Sequence, residues 1–503
     1  MRSLVNFQVR HLTRPARAVL SIAALGLVSV SNVLAQERDQ SGSDETPMSL
    51  YEITFSESNP LLVHVRGSLN TTNYIKMNTN CPNYDYPEGW ASFVSNLSVT
   101  AGGTEIPTEY VSKSKWKINR TSPGMVTVEY DVDLSFTTIQ WDVGNEQAGF
   151  FDGDAVYLVS KALFIHGDRD DRFLVTFNLP KSWDISVPWL ESGDPDTFVA
   201  PSLKLLLENS LVFGSYKSAV LKKLGFIFEF ALLGDAAKSS DVFAATFDKI
   251  STEFMALFPN TVPSKYLVSM FYANQNDGES FFNSNAFTLS KRLDSDGAII
   301  WANQMAHELF HYWNSDLIRS ADYEDRQWFS EGFAEYYSNL TLYRTGIIDD
   351  ATFRSKAEKI VGLYQNFKWR NPEITLRDAG KNKGANRFAV YNGGWVAALA
   401  LDTLIIEKSN GQKNLDDLMR RMFDKYTVTP YHYNDLIETA SEVAETDVSE
   451  FFERYVHGTE TIPVERSFKS IGYKMYSVVY EAEVYLVPQD DGDLRKFWLR
   501  SPD

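Results

Sequence analysis

The apolar residues of this chain change their spacing along its length, and that change limits the folds open to it. Across residues 48–189, short segments alternate apolar and polar positions and are separated by turn residues. Across residues 331–444, the apolar residues recur at helical spacing instead. Because strands alternate their faces and helices repeat every third or fourth residue, the first part predicts an antiparallel β-sandwich and the second a helical region.

The N-terminus has the layout of a signal peptide. Residues 1–35 contain four arginines, all before residue 18, and no acidic residue. An apolar run at residues 18–30 follows, and then small residues placed for cleavage before Gln36. We therefore expect an exported protein, either periplasmic or secreted. The alternative is an uncleaved membrane anchor, although the run is shorter than the about 20 apolar residues that a spanning helix needs.

The net charge and the cysteine content exclude some classes of partner and exclude internal disulfides. The formal net charge is −18, from 48 basic and 66 acidic residues. Phosphate binding requires clustered Lys and Arg, so neither nucleic acid nor a membrane surface is expected as a partner. The single cysteine, Cys81, permits no internal disulfide, so an exported protein of this kind depends on packing or on a metal.

The segment HELFH at residues 307–311 is the main candidate for chemistry. Residues four apart share a helix face, so His307 and His311 can present two imidazoles to one Zn²⁺ ion. Glu308 then lies beside the ion without ligating it. In that position it can take a proton from the water that the metal activates.

A catalytic zinc needs a third protein ligand and one open position. Glu331, in the segment WFSEGFAEYY at residues 328–337, is the natural candidate. Glu335, one turn further on, can accept a hydrogen bond from the second nitrogen of a ligand histidine and so fix its tautomer. The alternative is a helix whose histidines are satisfied by core carbonyls or by solvent.

These two segments together resemble the glycyl-aminopeptidase family, a branch of the gluzincin metallopeptidases related to aminopeptidase N and leukotriene A4 hydrolase. The resemblance continues through VYNGGWVAALALDTLI (390–405), NLDDLMRRMF (414–423) and FFERYVHGTETIP (451–463). It therefore covers residues 265–470, and the β-rich N-terminal part more loosely.

The resemblance implies roles for five positions, with one Zn²⁺ per chain. His307, His311 and Glu331 would be the zinc ligands, Glu308 the general base, and Tyr391 a catalytic tyrosine. The last role agrees with the chemistry, because a phenol opposite the metal can donate a hydrogen bond to the oxyanion that forms during amide hydrolysis.

The segment at residues 276–284 departs from the family pattern. Aminopeptidases hold the free ammonium group of the substrate with a carboxylate on an edge strand, a few residues after glycine. Here Glu279 follows Gly278 directly, and Asp277 precedes it. Asp277, Gly278 and Glu279 are therefore candidates for substrate binding. The alternatives are a solvated turn, or an enzyme that does not bind the substrate ammonium group in this way and cleaves peptides internally.

We expect a multidomain α+β protein with an N-terminal antiparallel β-sandwich, a thermolysin-like zinc catalytic domain and a helical C-terminal domain. The predicted segments are a signal peptide at 1–35, a flexible leader at 36–47, the sandwich at 48–190, the catalytic domain at 191–345, the helical domain at 346–470 and a short β-like tail at 471–503.

The predicted function is a zinc metallopeptidase with a peptide substrate, preferentially an aminopeptidase that removes N-terminal residues. Three alternatives stay open: an endopeptidase, an epoxide-opening hydrolase on the same zinc site, and a non-catalytic relative that binds peptides. The sequence predicts neither the preferred N-terminal residue nor the oligomeric state.

Overall fold

The computed structural model describes residues 48–82, 85–120, 122–290, 298–490 and 492–500. The predicted signal peptide and the predicted leader lie outside these residues. So does Asp296, which the sequence predicts as the N-cap of the helix that carries HELFH. The chain divides into two compact units: Met1–Ser240 with Val262–Arg292, and Asp241–Thr261 with Leu293–Asp503. The domain limits expected at residues 190, 345 and 470 remain predictions.

The first unit is built almost entirely of strands. Its elements are β1 Met48–Phe55, β2 Leu62–Thr71, β3 Tyr74–Lys76, β4 Val94–Ala101, β5 Thr104–Glu105, β6 Thr108–Ser112, β7 Lys115–Ile118, β8 Gly124–Asp133, β9 Gly149–Phe151, β10 Ala155–Val159, β11 Arg172–Asn178, β12 Asp184–Ser186, β13 Leu190–Glu191, β14 Thr197–Ala200, the short helix α1 Leu203–Leu207, β15 Ser210–Gly214, β16 Lys217–Lys223, β17 Phe226–Leu232, β18 Lys265–Tyr272, β19 Asp277–Ser280 and β20 Ser284–Leu289.

These strands form four sheets. Their orders are β13-β14-β11-β1-β2-β8-β4-β5, β12-β15-β10-β9, β3-β7-β6 and β16-β17-β18-β20-β19. Strands β1, β2, β8 and β11 of the largest sheet bury every second residue, as the alternating sequence predicts, whereas β10 and β15 are buried throughout. Phe213 of β15 packs on Phe55 and Phe177 of the large sheet, with ring centroids 4.7 and 5.2 Å apart, so two sheets share one core.

The large sheet differs from the expected antiparallel arrangement at one pair. Strand β1 pairs with β11 in parallel, from Met48 opposite Arg172 to Thr54 opposite Asn178. A parallel pair cannot be closed by a hairpin, and here more than a hundred residues separate the partners along the chain. Local alternation predicts the strands, but it carries no information about the direction of this pairing.

The five-stranded sheet is also mixed. Strands β17, β18 and β20 run parallel to one another, while β16 and β19 pair antiparallel at the two edges. The sequence pattern also predicts strands at residues 265–272 and 285–290. Strand β18 coincides with the first, and β20 begins one residue before the second. The candidate segment at Asp277–Ser280 is the edge strand β19 of this sheet.

The second unit is mostly helical. Its elements are α2 Ser240–Leu257, α3 Ala298–His311, α4 Gln327–Arg344, α5 Asp350–Arg370, α6 Leu376–Ala379, α7 Gly394–Lys408, α8 Leu415–Tyr426, α9 Tyr433–Val443, α10 Ser449–Tyr455, α11 Val464–Ser470, the hairpin of β21 Tyr473–Val478 and β22 Glu483–Pro488, and α12 Arg495–Leu499. Two π-helical segments, Tyr312–Leu317 and Phe388–Gly393, extend α3 and precede α7.

Large aromatic residues fill the core of this unit. Trp395 of α7 packs on Tyr336 of α4, and Phe310 of α3 stacks on Tyr337 of α4 with centroids 4.6 Å apart. The stretch Phe388–Lys408 is long and apolar enough to cross a membrane by composition, but 78% of its most apolar window is buried inside the protein. It serves here as the central helix of a core.

Two glycines allow α4 and α7 to touch through their backbones. A Cβ atom on Gly332 would lie 2.3 Å from the Cα atom of Gly394, and one on Gly394 would lie 2.1 Å from the carbonyl oxygen of Trp328. No side chain other than hydrogen fits at either position. Glu331 precedes the first glycine and Tyr391 lies three residues before the second, so this contact fixes the spacing of the backbones that carry them.

Candidate metal centre

Helix α3 presents the two histidines of the HELFH segment on one face. His307 and His311 are one turn apart, and their ring centroids are 4.7 Å apart with the planes nearly perpendicular. Both residues are buried. The Nε2 atoms face each other at 3.1 Å. Two imidazole nitrogens directed at one buried point are suited to share a cation there.

Glu331 of α4 completes a triangle of donor atoms. Its Oε2 lies 3.2 Å from His307 Nε2 and 3.3 Å from His311 Nε2. Donor atoms bound about 2.0 to 2.1 Å from a tetrahedral zinc lie about 3.3 Å apart, so the triangle has the size of one tetrahedral face. Among the described residues, these three are the group of His, Cys, Asp or Glu side chains arranged to hold a metal ion.

A second layer of polar groups orients the three ligands. His307 Nδ1 lies 3.3 Å from Glu335 Oε2, and Asn339 Nδ2 donates to Glu335 Oε1 at 3.0 Å. His311 Nδ1 lies 3.1 Å from Ser315 Oγ and 3.3 Å from Asn314 Oδ1. When its other nitrogen is held in this way, a histidine keeps Nε2 available for a metal.

In three members of the cluster, pairing outweighs burial, whereas burial lowers the pKa of the fourth, His311. Burial acts to lower the pKa of His307, but its hydrogen bonds to Glu331 and Glu335 outweigh burial and raise the pKa to about 10. Burial would raise the pKa of Glu331, yet the neighbouring histidines and Lys383 hold it well below the usual value. The pKa of Glu335 falls to about 2, against the effect of burial, because His307 and Lys356 face it.

The two predicted catalytic side chains adjoin this cluster. Glu308, buried on α3, is close enough to His307 to raise the pKa of the imidazole and to Tyr391 to raise that of the phenol. The Tyr391 ring lies nearly parallel to His307, with centroids 6.1 Å apart. Burial first, and then Glu331, raises the pKa of Tyr391, so the phenol keeps its proton at neutral pH.

Lys383 is a member of the cluster that the sequence did not predict. Its Nζ donates to Glu331 Oε1 at 2.6 Å, on the side of the carboxylate away from the histidines. Burial would lower the pKa of Lys383, but Glu331 and Tyr391 raise it instead. Lys383 lies in an irregular turn and fits no ligand spacing, so no local signal distinguishes it from the chain's other lysines.

The three substrate-binding candidates lie together in the first unit. Asp277, Gly278 and Glu279 form most of the edge strand β19, and each is partly exposed. The backbone N–H of Gly278 donates to Asp277 Oδ1 at 3.0 Å. Glu146, a buried residue in the same unit, accepts from Thr288 Oγ1 at 3.2 Å. Burial, together with Asp277 and Glu279, raises the pKa of Glu146 to about 8.

The fold is similar to those of two solved proteins. An aminopeptidase N family protein from Idiomarina loihiensis matches with a TM-score of 0.72 at 19% identity, covering 85% of this chain and 79% of that one. An M1 zinc metallopeptidase from Deinococcus radiodurans matches with a TM-score of 0.53 at 13% identity, covering 84% and 95%. These likenesses establish a shared mixed α+β fold. A search of curated proteins gives no match.

Two sequence profiles identify the family. The Peptidase M61 N-terminal domain matches residues 50–215, and the M61 glycyl aminopeptidase domain matches residues 301–379. The second match contains His307, His311, Glu331 and Glu335, and it ends before Lys383 and Tyr391. The resemblance to the glycyl-aminopeptidase family found in the sequence is thereby confirmed, and the two matches support a metallopeptidase.

Proposed function

We propose that this protein is an exported zinc aminopeptidase that removes N-terminal residues from peptides. The observation that carries the proposal is the buried triangle of His307, His311 and Glu331 donor atoms, with edges of 3.1 to 3.3 Å. Two neutral imidazoles and one carboxylate are a donor set that suits zinc, and two of them come from an HExxH helix. A thermolysin-like catalytic domain around this site is part of the proposal.

The residues fit the metal, and each has a distinct task. When bound, zinc supplies Lewis acidity that polarises the substrate carbonyl and makes water a better nucleophile. Glu335 accepts from Nδ1 of His307 and so keeps Nε2 of that ring free as a ligand. Asn314 and Ser315 hold His311 in the same way.

Glu308 and Tyr391 carry the proton and the charge of the reaction. Glu308 takes a proton from the attacking water and then passes it to the leaving amine, which requires a carboxylate that is ionised at the start. Tyr391 retains its proton at neutral pH and donates a hydrogen bond to the substrate oxygen as negative charge develops there. Peptide bond hydrolysis needs both actions.

Removal of single N-terminal residues also requires an anionic group for the substrate ammonium. Asp277 and Glu279 are the candidates in the sequence, and both are partly exposed on β19. Aminopeptidase action and export are proposals that rest on the family and on the N-terminal sequence. Cleavage before Gln36 in protein recovered from outside the cytoplasm would support export.

The proposal is tested by comparing the mature protein with its Glu308→Gln variant. Metal content is measured in both, and both are assayed on free and on N-acetylated peptides. We expect one zinc per chain in each protein, hydrolysis of free peptides only, and a loss of about 10² to 10⁴ in kcat for the variant, because the general base is removed while the ligands stay.

Three other results would each overturn part of the proposal. Equal hydrolysis of N-acetylated peptides would make the protein an endopeptidase, because these substrates have no free ammonium group for a carboxylate to bind. Full activity of the Glu308→Gln variant would exclude the proposed general base. The absence of bound metal from an active preparation would refute the zinc mechanism as a whole.

A further inference from the structure

Lys383 connects two parts of the site that lie on different elements. It sits in the turn between the short 3-10 segment Gly380–Asn382 and the π-helical segment Phe388–Gly393. Its Nζ donates to Glu331 Oε1 at 2.6 Å. Nζ lies 5.3 Å from the centroid of the Tyr391 ring. One ammonium group therefore bonds a metal-ligand candidate and lies beside the proposed oxyanion donor.

The chemistry of the ammonium group sets the direction of any hydrogen bond that it makes. A lysine ammonium has three donors and no acceptor. Glu331 Oε1 must accept, which leaves Oε2 as the oxygen that faces His307 and His311. Toward Lys383 the phenol oxygen of Tyr391 could likewise only accept, so the phenol cannot use its own proton on the ammonium group. That proton remains available for another acceptor.

We infer that Lys383 is a positioning residue for this site, holding Glu331 in a one-oxygen binding mode and directing the Tyr391 O–H toward the substrate oxygen. This inference rests on the proposed function. A cation beside a phenol also makes the phenol a stronger donor, which favours the charged oxygen of the transition state over the neutral carbonyl.

A neighbouring lysine provides the matched control. Lys381, two residues earlier in the chain, pairs with Asp378 at 2.6 Å on the surface, and its side chain is 58% exposed. The Lys383 side chain is 36% exposed, so a Met of similar length can replace it without opening a cavity in the core. Lys383→Met and Lys381→Met remove the same charge from the same segment, but only the first removes it from beside Glu331 and Tyr391.

The experiment measures zinc affinity and steady-state kinetics for the wild type, Lys383→Met and Lys381→Met. Affinity is obtained by titrating the metal-free proteins against a zinc chelator, and kinetics are recorded at saturating zinc. We expect Lys383→Met to bind zinc about 10- to 100-fold more weakly, the usual cost of removing a partner of a metal ligand. Its kcat should fall about tenfold with KM unchanged, and Lys381→Met should match the wild type.

Tyr391→Phe shows whether the kcat loss passes through the tyrosine. If Lys383 acts by directing the phenol, Lys383→Met should change kcat by less than twofold in the Tyr391→Phe background, because the group it directs is gone. A tenfold loss in that background would overturn the inference. Zinc affinity and kcat within twofold of the wild type for Lys383→Met would overturn it as well.

The failure of this inference differs from a failure of the proposed function. A wild-type protein that neither binds zinc nor cleaves peptides would refute the proposed function itself. An active wild type with an unaffected Lys383→Met variant would refute the positioning role alone. Thermal unfolding of the metal-free variants establishes that all of them are folded.

Discussion

Two buried glutamates, one in each unit, are held in opposite states. Glu146 in the first unit and Glu331 in the second are both buried. Glu146 accepts a hydrogen bond from Thr288 and has Asp277 and Glu279 nearby, and burial with these acidic neighbours raises its pKa to about 8. Glu331 faces two imidazoles and an ammonium, and its pKa lies well below the usual value despite burial.

The difference shows that partners, rather than depth, decide whether an interior carboxylate is charged. Burial alone favours the neutral form, and only cations at contact distance reverse that preference. A charged interior carboxylate surrounded by imidazoles is a group prepared for a cation. A neutral carboxylic acid such as Glu146 is a polar group that the core accommodates. A lowered pKa therefore indicates an interior carboxylate that can bind a cation, and a raised pKa indicates one that is neutral in the core.

Replacing Glu331 should give the largest effect. Glu331→Gln keeps the shape but removes the charge, so a candidate ligand is lost and Lys383 and His307 lose their counterion. We expect zinc binding to weaken by more than the about 100-fold that bounds the loss of an outer partner. Calorimetric titration of the metal-free protein measures this, with Glu146→Gln as the control that should retain wild-type affinity. If Glu146→Gln weakened zinc binding as much as Glu331→Gln, the two glutamates would not differ in their relation to the metal.

Replacing Glu335 should give a smaller effect of the same kind. Glu335→Gln leaves the three donor atoms in place but weakens the acceptor that orients His307 through Nδ1. Zinc affinity should fall about 10- to 100-fold, which corresponds to the loss of an outer partner. Calorimetric titration of the metal-free variant with zinc measures this fall in affinity. An affinity equal to that of the wild type would mean that the second layer contributes nothing to the metal.

The smallest effect expected is the pH dependence conferred by Glu146. Its folded pKa of about 8 exceeds the ordinary value of 4.5, so the folded protein keeps a proton that the unfolded chain releases. This contribution to stability is fully present below pH 4.5 and is lost as pH rises through about 8. Relative to the wild type, Glu146→Gln should therefore become more stable by about 1 to 2 kcal/mol between pH 6 and pH 8.

Urea unfolding at several pH values tests that expectation. The wild-type transition should move to lower urea concentrations across this range, and the variant should move less. Parallel curves for the two proteins would show that Glu146 is already ionised in the folded state. Glu146 and Glu331 would then differ in their neighbours but not in their charge.

Local periodicity predicted most elements of this fold and the helix face shared by His307 and His311, whereas Glu331 was predicted from the need for a third ligand and from the family resemblance. The strand at residues 265–272 and the helix that carries His307 and His311 follow from patterns within a few residues. The parallel pairing of β1 with β11 does not, because it joins segments far apart in the sequence. Lys383 and Glu146 escaped prediction for the same reason: their roles come from neighbours that only the tertiary fold supplies.

The backbone contact between Gly332 and Gly394 has a consequence for how the site comes apart. Where side chains separate two helices, each helix can fray while the layer between them adjusts. Here no such layer exists, so opening either helix at this point exposes the other. The amide hydrogens of the two helices around this contact should therefore exchange with solvent as one cooperative group, and Glu331 and Tyr391 would lose their relative placement in a single opening event.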